Sequence, residues 1–170
     1  NKWVPVASMN QARADHATVT DNNGRIYTIG GKSINNWDSV LNSVECYDLD
    51  TNTWINLPSL NTSRCDFAAF VDSQNMIYAV GGVTKNGGHL NSTERFDPAH
   101  PEQGWRFVSP ISKSTNTQGT IGRDGLFYIM GGWLPGLIND VEFYNPESNS
   151  WSHHSSMNRA QNNMGVVKSQ

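Results

Sequence analysis

A chain of 170 residues with 36% apolar and 16% charged residues suits one ordinary domain, and excludes a collagen-like or highly charged disordered polymer. Its net charge of -3 gives no electrostatic attraction to nucleic acid or to an anionic membrane. No stretch reaches the ~20 apolar residues that span a bilayer, and Asn1-Lys2-Trp3-Val4-Pro5 has neither the charged start nor the apolar core of a signal peptide.

In chain order, residues 1–10 carry Trp3, the first of four regularly spaced tryptophans. Residues 16–20 read as a strand leading into Asn22-Asn23-Gly24, a hairpin-turn signal, and residues 25–29 return as a second strand. That strand stops at Gly30-Gly31, and a loop over 32–42 follows. Residues 44–47 form a third strand, and Asp48-Leu49-Asp50-Thr51-Asn52 turns into a fourth over 53–57. The same order then recurs twice, with Gln74-Asn75 and Asp124-Gly125 as the hairpin turns. β-branched and aromatic residues dominate every strand. The 20 Asn, 17 Ser and 15 Gly favour turns and short strands over long helices.

The repeat decides the architecture. Gly-Gly pairs fall at 30–31, 81–82 and 131–132, and tryptophans at 3, 54, 105 and 151. Between each Gly-Gly and the next Trp lies a third element: Val44-Glu45-Cys46-Tyr47-Asp48, Thr93-Glu94-Arg95-Phe96-Asp97 and Val141-Glu142-Phe143-Tyr144-Asn145. A lone four-stranded sheet with two apolar faces is unstable in water, so neighbouring units must cover both. Radial stacking into a propeller does so and leaves only short edges. Small residues at 17, 68, 119 and 165 open the first strand of each unit, where strands crowd around the axis.

The Gly-Gly after an aromatic strand, the hydrophobic-Glu-x-aromatic-Asp element and the spaced Trp resemble Kelch repeats over essentially the whole chain. Leu41-Asn42-Ser43-Val44-Glu45 and Leu90-Asn91-Ser92-Thr93-Glu94 are similar to the Kelch domains of Kelch-like (BTB-Kelch) adaptor proteins in particular. So are Tyr47-Asp48-Leu49-Asp50-Thr51-Asn52-Thr53-Trp54 and Tyr144-Asn145-Pro146-Glu147-Ser148-Asn149-Ser150-Trp151. WD40 propellers need recurring Gly-His and Trp-Asp signatures, whereas Trp37-Asp38 occurs once. The expected fold is all-β: a Kelch β-propeller with three complete four-stranded blades and partial strands at both ends. Residues 1–10 are expected as the last strand of a preceding blade. Blades over 11–60, 61–111 and 112–158 follow, and residues 159–170 begin a further one. Three blades do not close a ring. The chain is therefore expected to be a piece of a longer Kelch domain, with a half-ring completed by a second chain as the alternative.

Strand periodicity puts Glu45 with Tyr47, Glu94 with Phe96 and Glu142 with Tyr144 on one face, between blades. A buried carboxylate needs donors or a cation. Arg13 and Arg64, each ten residues after a Trp, are the candidates, while Thr115 and Gln161 stand there in later units. Lys113 and Arg159 lie two residues earlier.

Loops on a repeated scaffold are where binding concentrates. The second-to-third-strand loops (32–42, 83–91, 133–139) and the blade-joining segments (10–15, 61–66, 112–117) emerge on one side. The first set supplies Lys32, Asn36, Trp37, His89, Trp133 and Leu134 as candidate partner contacts. The second supplies Arg13, Asp15, Arg64, Asp66 and Asn116. Trp37, Trp133, Leu134 and Leu137 fall outside the repeat pattern and suit interface anchors. Asp15 and Asp66 are followed in later units by Thr117 and Asn163. In Kelch-like adaptors, positions of this kind contact a short peptide of the partner. The acidic pair here implies a partner segment with Lys or Arg.

Other motifs carry less. Asp48-Leu49-Asp50-Thr51-Asn52 starts like a calcium loop but has Thr53 and Ser59 where the Gly and Glu belong. His153-His154 alternates faces, and residues 81–88 lack the Gly-Lys-Ser/Thr ending of a phosphate loop. No metal or cofactor is expected. Cys46 and Cys65 are too few for a disulfide framework and are expected as packed thiols, with one bridge left open.

The resemblance implies a non-enzymatic protein-interaction module in the cytoplasm, whose parent carries a BTB domain and a Back region and recruits substrates to a cullin-based ubiquitin ligase. A cytoskeletal variant binds actin. An enzyme is the second reading, since some Kelch propellers are copper oxidases or sugar mutarotases. An extracellular domain is the third, resting on the sequons Asn61-Thr62-Ser63 and Asn91-Ser92-Thr93 and on the paired cysteine count.

Overall fold

The computed structural model describes residues 2–113, 115–133 and 135–162, with the backbone alone at 37 and 38. Among them fifteen strands follow in chain order. Blade I is built from β2 (Ala17–Thr20), β3 (Ile26–Ile29), β6 (Val44–Asp48) and β7 (Thr53–Leu57). Between them come β1 (Arg13–Ala14), β4 (Lys32–Ser33) and β5 (Asn36–Val40). Blade II holds β8 (Ala68–Val71), β9 (Ile77–Val80), β10 (Thr93–Phe96) and β11 (Arg106–Val108). Blade III holds β12 (Asn116–Ile121), β13 (Phe127–Trp133), β14 (Leu137–Asn145) and β15 (Ser150–His154). Among the described residues the only helical turn is a 3-10 turn at Pro101–Gln103.

Each blade is one four-stranded antiparallel sheet with its strands laid down in sequence order. The registers repeat. Tyr27 faces Cys46 across β3 and β6, Tyr78 faces Arg95 across β9 and β10, and Tyr128 faces Phe143 across β13 and β14. The hairpin turns read from the sequence form as expected, with Gly24, Asn75 and Gly125 at φ of 84°, 69° and 78°.

Apolar side chains on both faces of every sheet force the blades together. One core joins blades I and II through Tyr27, Ile29, Val44, Phe67, Ile77, Phe96 and Trp105. A second joins blades II and III through Ala68, Phe70, Tyr78, Ile111, Phe127 and Tyr144. Phe70 stacks on Phe127 at 4.7 Å between centroids. The innermost strands meet at β2–β8 and β8–β12, which fixes the small residues there. A Cβ on Gly119 would lie 2.5 Å from the Phe70 ring. Gly165, the last of that column, lies outside the described residues.

Two elements differ from expectation. The loop over 32–42 is a β-hairpin, β4–β5, which joins β1 in a small three-stranded sheet. The turn at 34–35 lets the 36–40 run fold back, and Leu41 N bonds Gly31 O at 2.7 Å to close it. Residues 2–9 form no strand, because no described strand is placed to ladder with them. Ala7 nevertheless accepts the Trp54 indole N–H at 2.9 Å. Pro58 accepts that of Trp105, and Ser109 that of Trp151, at the ends of β7 and β11. The N-terminal segment thus sits against blade I as the outer strand ends of blades I and II sit against the blades that follow.

Candidate functional site

The blades are stitched on one side by a repeated polar device. Arg64 donates to Glu94 Oε1 at 2.7 Å, to Gly81 O at 2.7 Å and to both the carbonyl and the hydroxyl of Ser92. Glu94 also accepts Asn61 N, Asn61 Nδ2 and Thr62 N. Meanwhile the Arg64 backbone reaches the preceding blade: its carbonyl takes Gly31 N and its N–H reaches Leu41 O. Arg13 repeats the pattern in blade I with Glu45, Gly30 O and Ser43, and Glu45 accepts Asn10 N and Gln11 N. Both ion pairs are fully enclosed. Burial is the largest influence on the Arg64 pKa, pulling it down against the pull of Glu94. The expectation that Arg13 and Arg64 pair with the glutamates holds. Their place among the rim contacts does not: each guanidinium is enclosed inside its own blade.

Blade III departs from this device. Thr115 stands in the arginine's place and turns its hydroxyl to Asn116 O. Glu142 is 5% exposed and, among the described residues, accepts hydrogen bonds from Ser112, through its N–H and its hydroxyl. Lys113 pairs instead with Asp140 at the surface. The Thr115 and Gln161 backbones still dock on the Gly-Gly of the blade before them, through Gly82 N and Gly132 N.

The rim above these pairs gathers several expected contacts. Asp15 and Asp66 sit in the left-handed region, at φ of 52° and 51°. Asp66 N bonds Asp15 O at 3.0 Å. Lys32 spans the two carboxylates, 3.0 Å from Asp15 and 3.8 Å from Asp66. With His16, Thr18, Gln118 and Gly119 they line a polar cavity of about 300 Å³ where the innermost strands converge. Burial, followed by the Asp15 charge, pushes the Asp66 carboxyl up from its ordinary value, and Lys32 pulls it back. The hydrogen bond to Asp15 raises Lys32. Burial pushes the neighbouring Cys65 thiol up to about 11, so it stays protonated. Cys46 and Cys65 are free and buried.

The remaining candidates are spread along the same rim. Trp133 and Leu137 are paired across the tip of the β13–β14 hairpin, 45% and 48% exposed. Asn116 holds that hairpin by accepting Trp133 N at 2.7 Å. His89 lies in the blade II loop, bridged to Val83. Asn36 lies in β5, with Ser33 as its register partner. Leu134, the Trp37 side chain and Asn163 lie outside the described residues.

Two repeated roles escaped sequence reasoning. The Trp indole clamp, described above, joins successive blades. Asp21 and Asp72 each cap their own hairpin turn through Oδ1 and accept the phenol six residues on, Tyr27 or Tyr78, through Oδ2. The six-residue spacing was the signal. In blade III Gly122 takes that place, and Tyr128 turns to Asp124. The first sequon is structural: Asn61 Nδ2 donates to Glu94 and to Trp105 O. Among the described residues no three His, Cys, Asp or Glu side chains gather to hold a metal, and no helix is long and apolar enough to cross a membrane.

Radially packed four-stranded sheets, a Gly-Gly at or just past the end of each second strand and a buried glutamate in each third strand define a Kelch-type β-propeller segment. Residues 1–166 match the KLHDC2/KLHL20/DRC7 Kelch-repeats domain, and the chain belongs to the Kelch-repeat family. It is 27% identical to Kelch-like protein 23 of Homo sapiens over 98% of its length, covering 28% of that protein. It is 26% identical to alpha-scruin of Limulus polyphemus, again over 98% of the chain and 19% of that protein. The chain thus spans less than a third of the curated relatives it matches. The solved structure of YjhT superposes over 95% of the chain and 57% of its own, with a TM-score of 0.78 at 18% identity, a likeness of fold.

Proposed function

We propose that this propeller segment is a protein-interaction module whose rim of β-hairpins and blade-joining segments takes a partner segment bearing Lys or Arg. The observation that carries the reading is the meeting of Asp15, Asp66 and Lys32 at the mouth of the axial cavity, on the rim that also carries the exposed Trp133–Leu137 tip. The carboxylates supply sites for a cationic side chain, and the aromatic tip supplies an anchor. Lys32 neutralises part of that acidity, so a partner's cation enters in competition with it. Fluorescence anisotropy with labelled Lys/Arg-containing peptides tests this. The Asp15→Lys/Asp66→Lys variant is expected to weaken binding at least tenfold; unchanged or tighter binding speaks against the reading.

A finer role follows from the relatives: substrate recognition in a cullin-RING ubiquitin ligase adaptor of the cytoplasm. Similarity to Kelch-like protein 23, and to a vaccinia virus protein named for its Kelch repeats and BTB domain, supports it. Co-precipitation of a cullin with the full-length protein checks this role. Co-sedimentation with filamentous actin, without cullin capture, would turn the reading to a cytoskeletal one.

A further inference from the structure

A cavity of about 590 Å³ lies at the other face, between the hairpin turns of blades II and III. The blade I–II junction shows what normally closes such a place. There Asn75 Oδ1 accepts Asn22 N at 2.8 Å, Asn75 Nδ2 reaches Asp21 Oδ2, and Asn22 Nδ2 reaches Asp72 O. At the next junction Gly125 stands in the place of Asn75 and has no side chain to make that bridge. The turns therefore part, and a polar cleft opens.

The repeat is broken a second time at the same spot. The third strands carry Cys46 in blade I and Phe143 in blade III, and Arg95 in blade II. Glu94 and Phe96 point to the blade I–II side, and Arg95 lines the cleft beside the Tyr78 hydroxyl. Among the described residues no carboxylate is in ion-pair contact with Arg95. Two of the three carboxylates in the lining are engaged elsewhere. Asp72 accepts Gln74 N, Met76 N and the Tyr78 hydroxyl. Asp124 accepts Leu126 N and the Tyr128 hydroxyl. Glu147 and Arg123 also line the cleft. A half-buried guanidinium has five donors in a fixed fork that matches a carboxylate or phosphate.

We propose that this cleft binds a single anionic group, a carboxylate or a phosphate, anchored by Arg95. The site is separate from the rim and stands whether or not the rim binds a basic segment. Glu147 and the two engaged aspartates keep the affinity weak, in the millimolar range.

Two-dimensional amide NMR at constant ionic strength tests it, with inorganic phosphate as one probe and an acetylated, amidated Gly-Glu-Gly peptide as the other. Saturable shifts confined to residues 72–78, 95 and 121–126 are expected. Arg95→Gln should weaken binding at least tenfold. Gly125→Asn keeps Arg95 and restores the closing amide, and should weaken binding too; Asn tolerates the left-handed backbone there. Saturation by phosphate alone assigns the site to phosphate groups, and by the peptide alone to acidic side chains. Shifts that do not saturate, or that persist in both variants, overturn the proposal.

Discussion

At the residue scale, the buried carboxylate of each third strand sets the terms. Its burial was legible, because the alternation of Glu45 with Tyr47 puts both on one packed face. Its arginine was legible too, from the ten-residue step after Trp. What stands in for that arginine in blade III was not: Ser112 satisfies Glu142 through one N–H and one hydroxyl, a contact no charge pattern announces. Removing one member of an enclosed, hydrogen-bonded ion pair leaves the other charge stranded and costs about 3–5 kcal/mol. Glu94→Ala is therefore expected to lower the denaturant midpoint strongly. Glu142→Ala, which strands no cation, should lower it less. Equal losses in chemical unfolding would contradict the pairing. His16 gives a pH prediction. Burial, then the Arg13 charge, lowers its pKa below 6.5, with Asp15 opposing. The unfolded chain takes up that proton first as pH falls through about 6.5. Stability from neutral His16 is thus present above 6.5 and is lost below it, toward the lowered folded value. Urea unfolding at two pH values, one above and one below 6.5, should show a drop that shrinks in His16→Gln.

Among elements, turn chemistry translated directly into structure, and loops did not. Asn22-Asn23-Gly24, Gln74-Asn75 and Asp124-Gly125 gave the hairpins, because only those residues take the left-handed φ there readily. The 32–42 segment reads as a loop, since β4 is a two-residue strand, as is the β1 that flanks it, and both are invisible to periodicity. The Gly-Gly pairs fall where backbone meets backbone, and the contacts are specific. Gly82 has φ of 101°, and a Cβ there would lie 2.7 Å from Cys65 O. Gly82→Ala should destabilise blade II and loosen its seam with blade III, where its N–H bonds Thr115 O, seen as faster amide exchange at residues 65 and 82–83. Unchanged protection would contradict this seam. The Trp indole clamps are single hydrogen bonds, so Trp105→Phe, which keeps the ring but loses the N–H donor, should cost about 1 kcal/mol in chemical unfolding.

For the whole molecule, stacking was legible because each sheet is apolar on both faces, and both cores lie between blades rather than within one. The residues of the rim were only partly legible. The chain names Asp15, Asp66 and Lys32 but not their meeting, which depends on the backbone bond between Asp66 and Asp15 across the blade seam. Nor does it separate Arg13 and Arg64 from them, although burial removes those two from the surface. The central claim is that the rim, with its acidic pair, is where a partner docks. Amide exchange of the protein with and without a saturating Lys/Arg-containing peptide tests it most directly. Protection is expected at residues 12–16, 32–40, 64–67 and 131–138, abolished by Asp15→Lys/Asp66→Lys. Protection confined to the hairpin turns at 21–25, 72–76 and 122–126, untouched by that reversal, would contradict it.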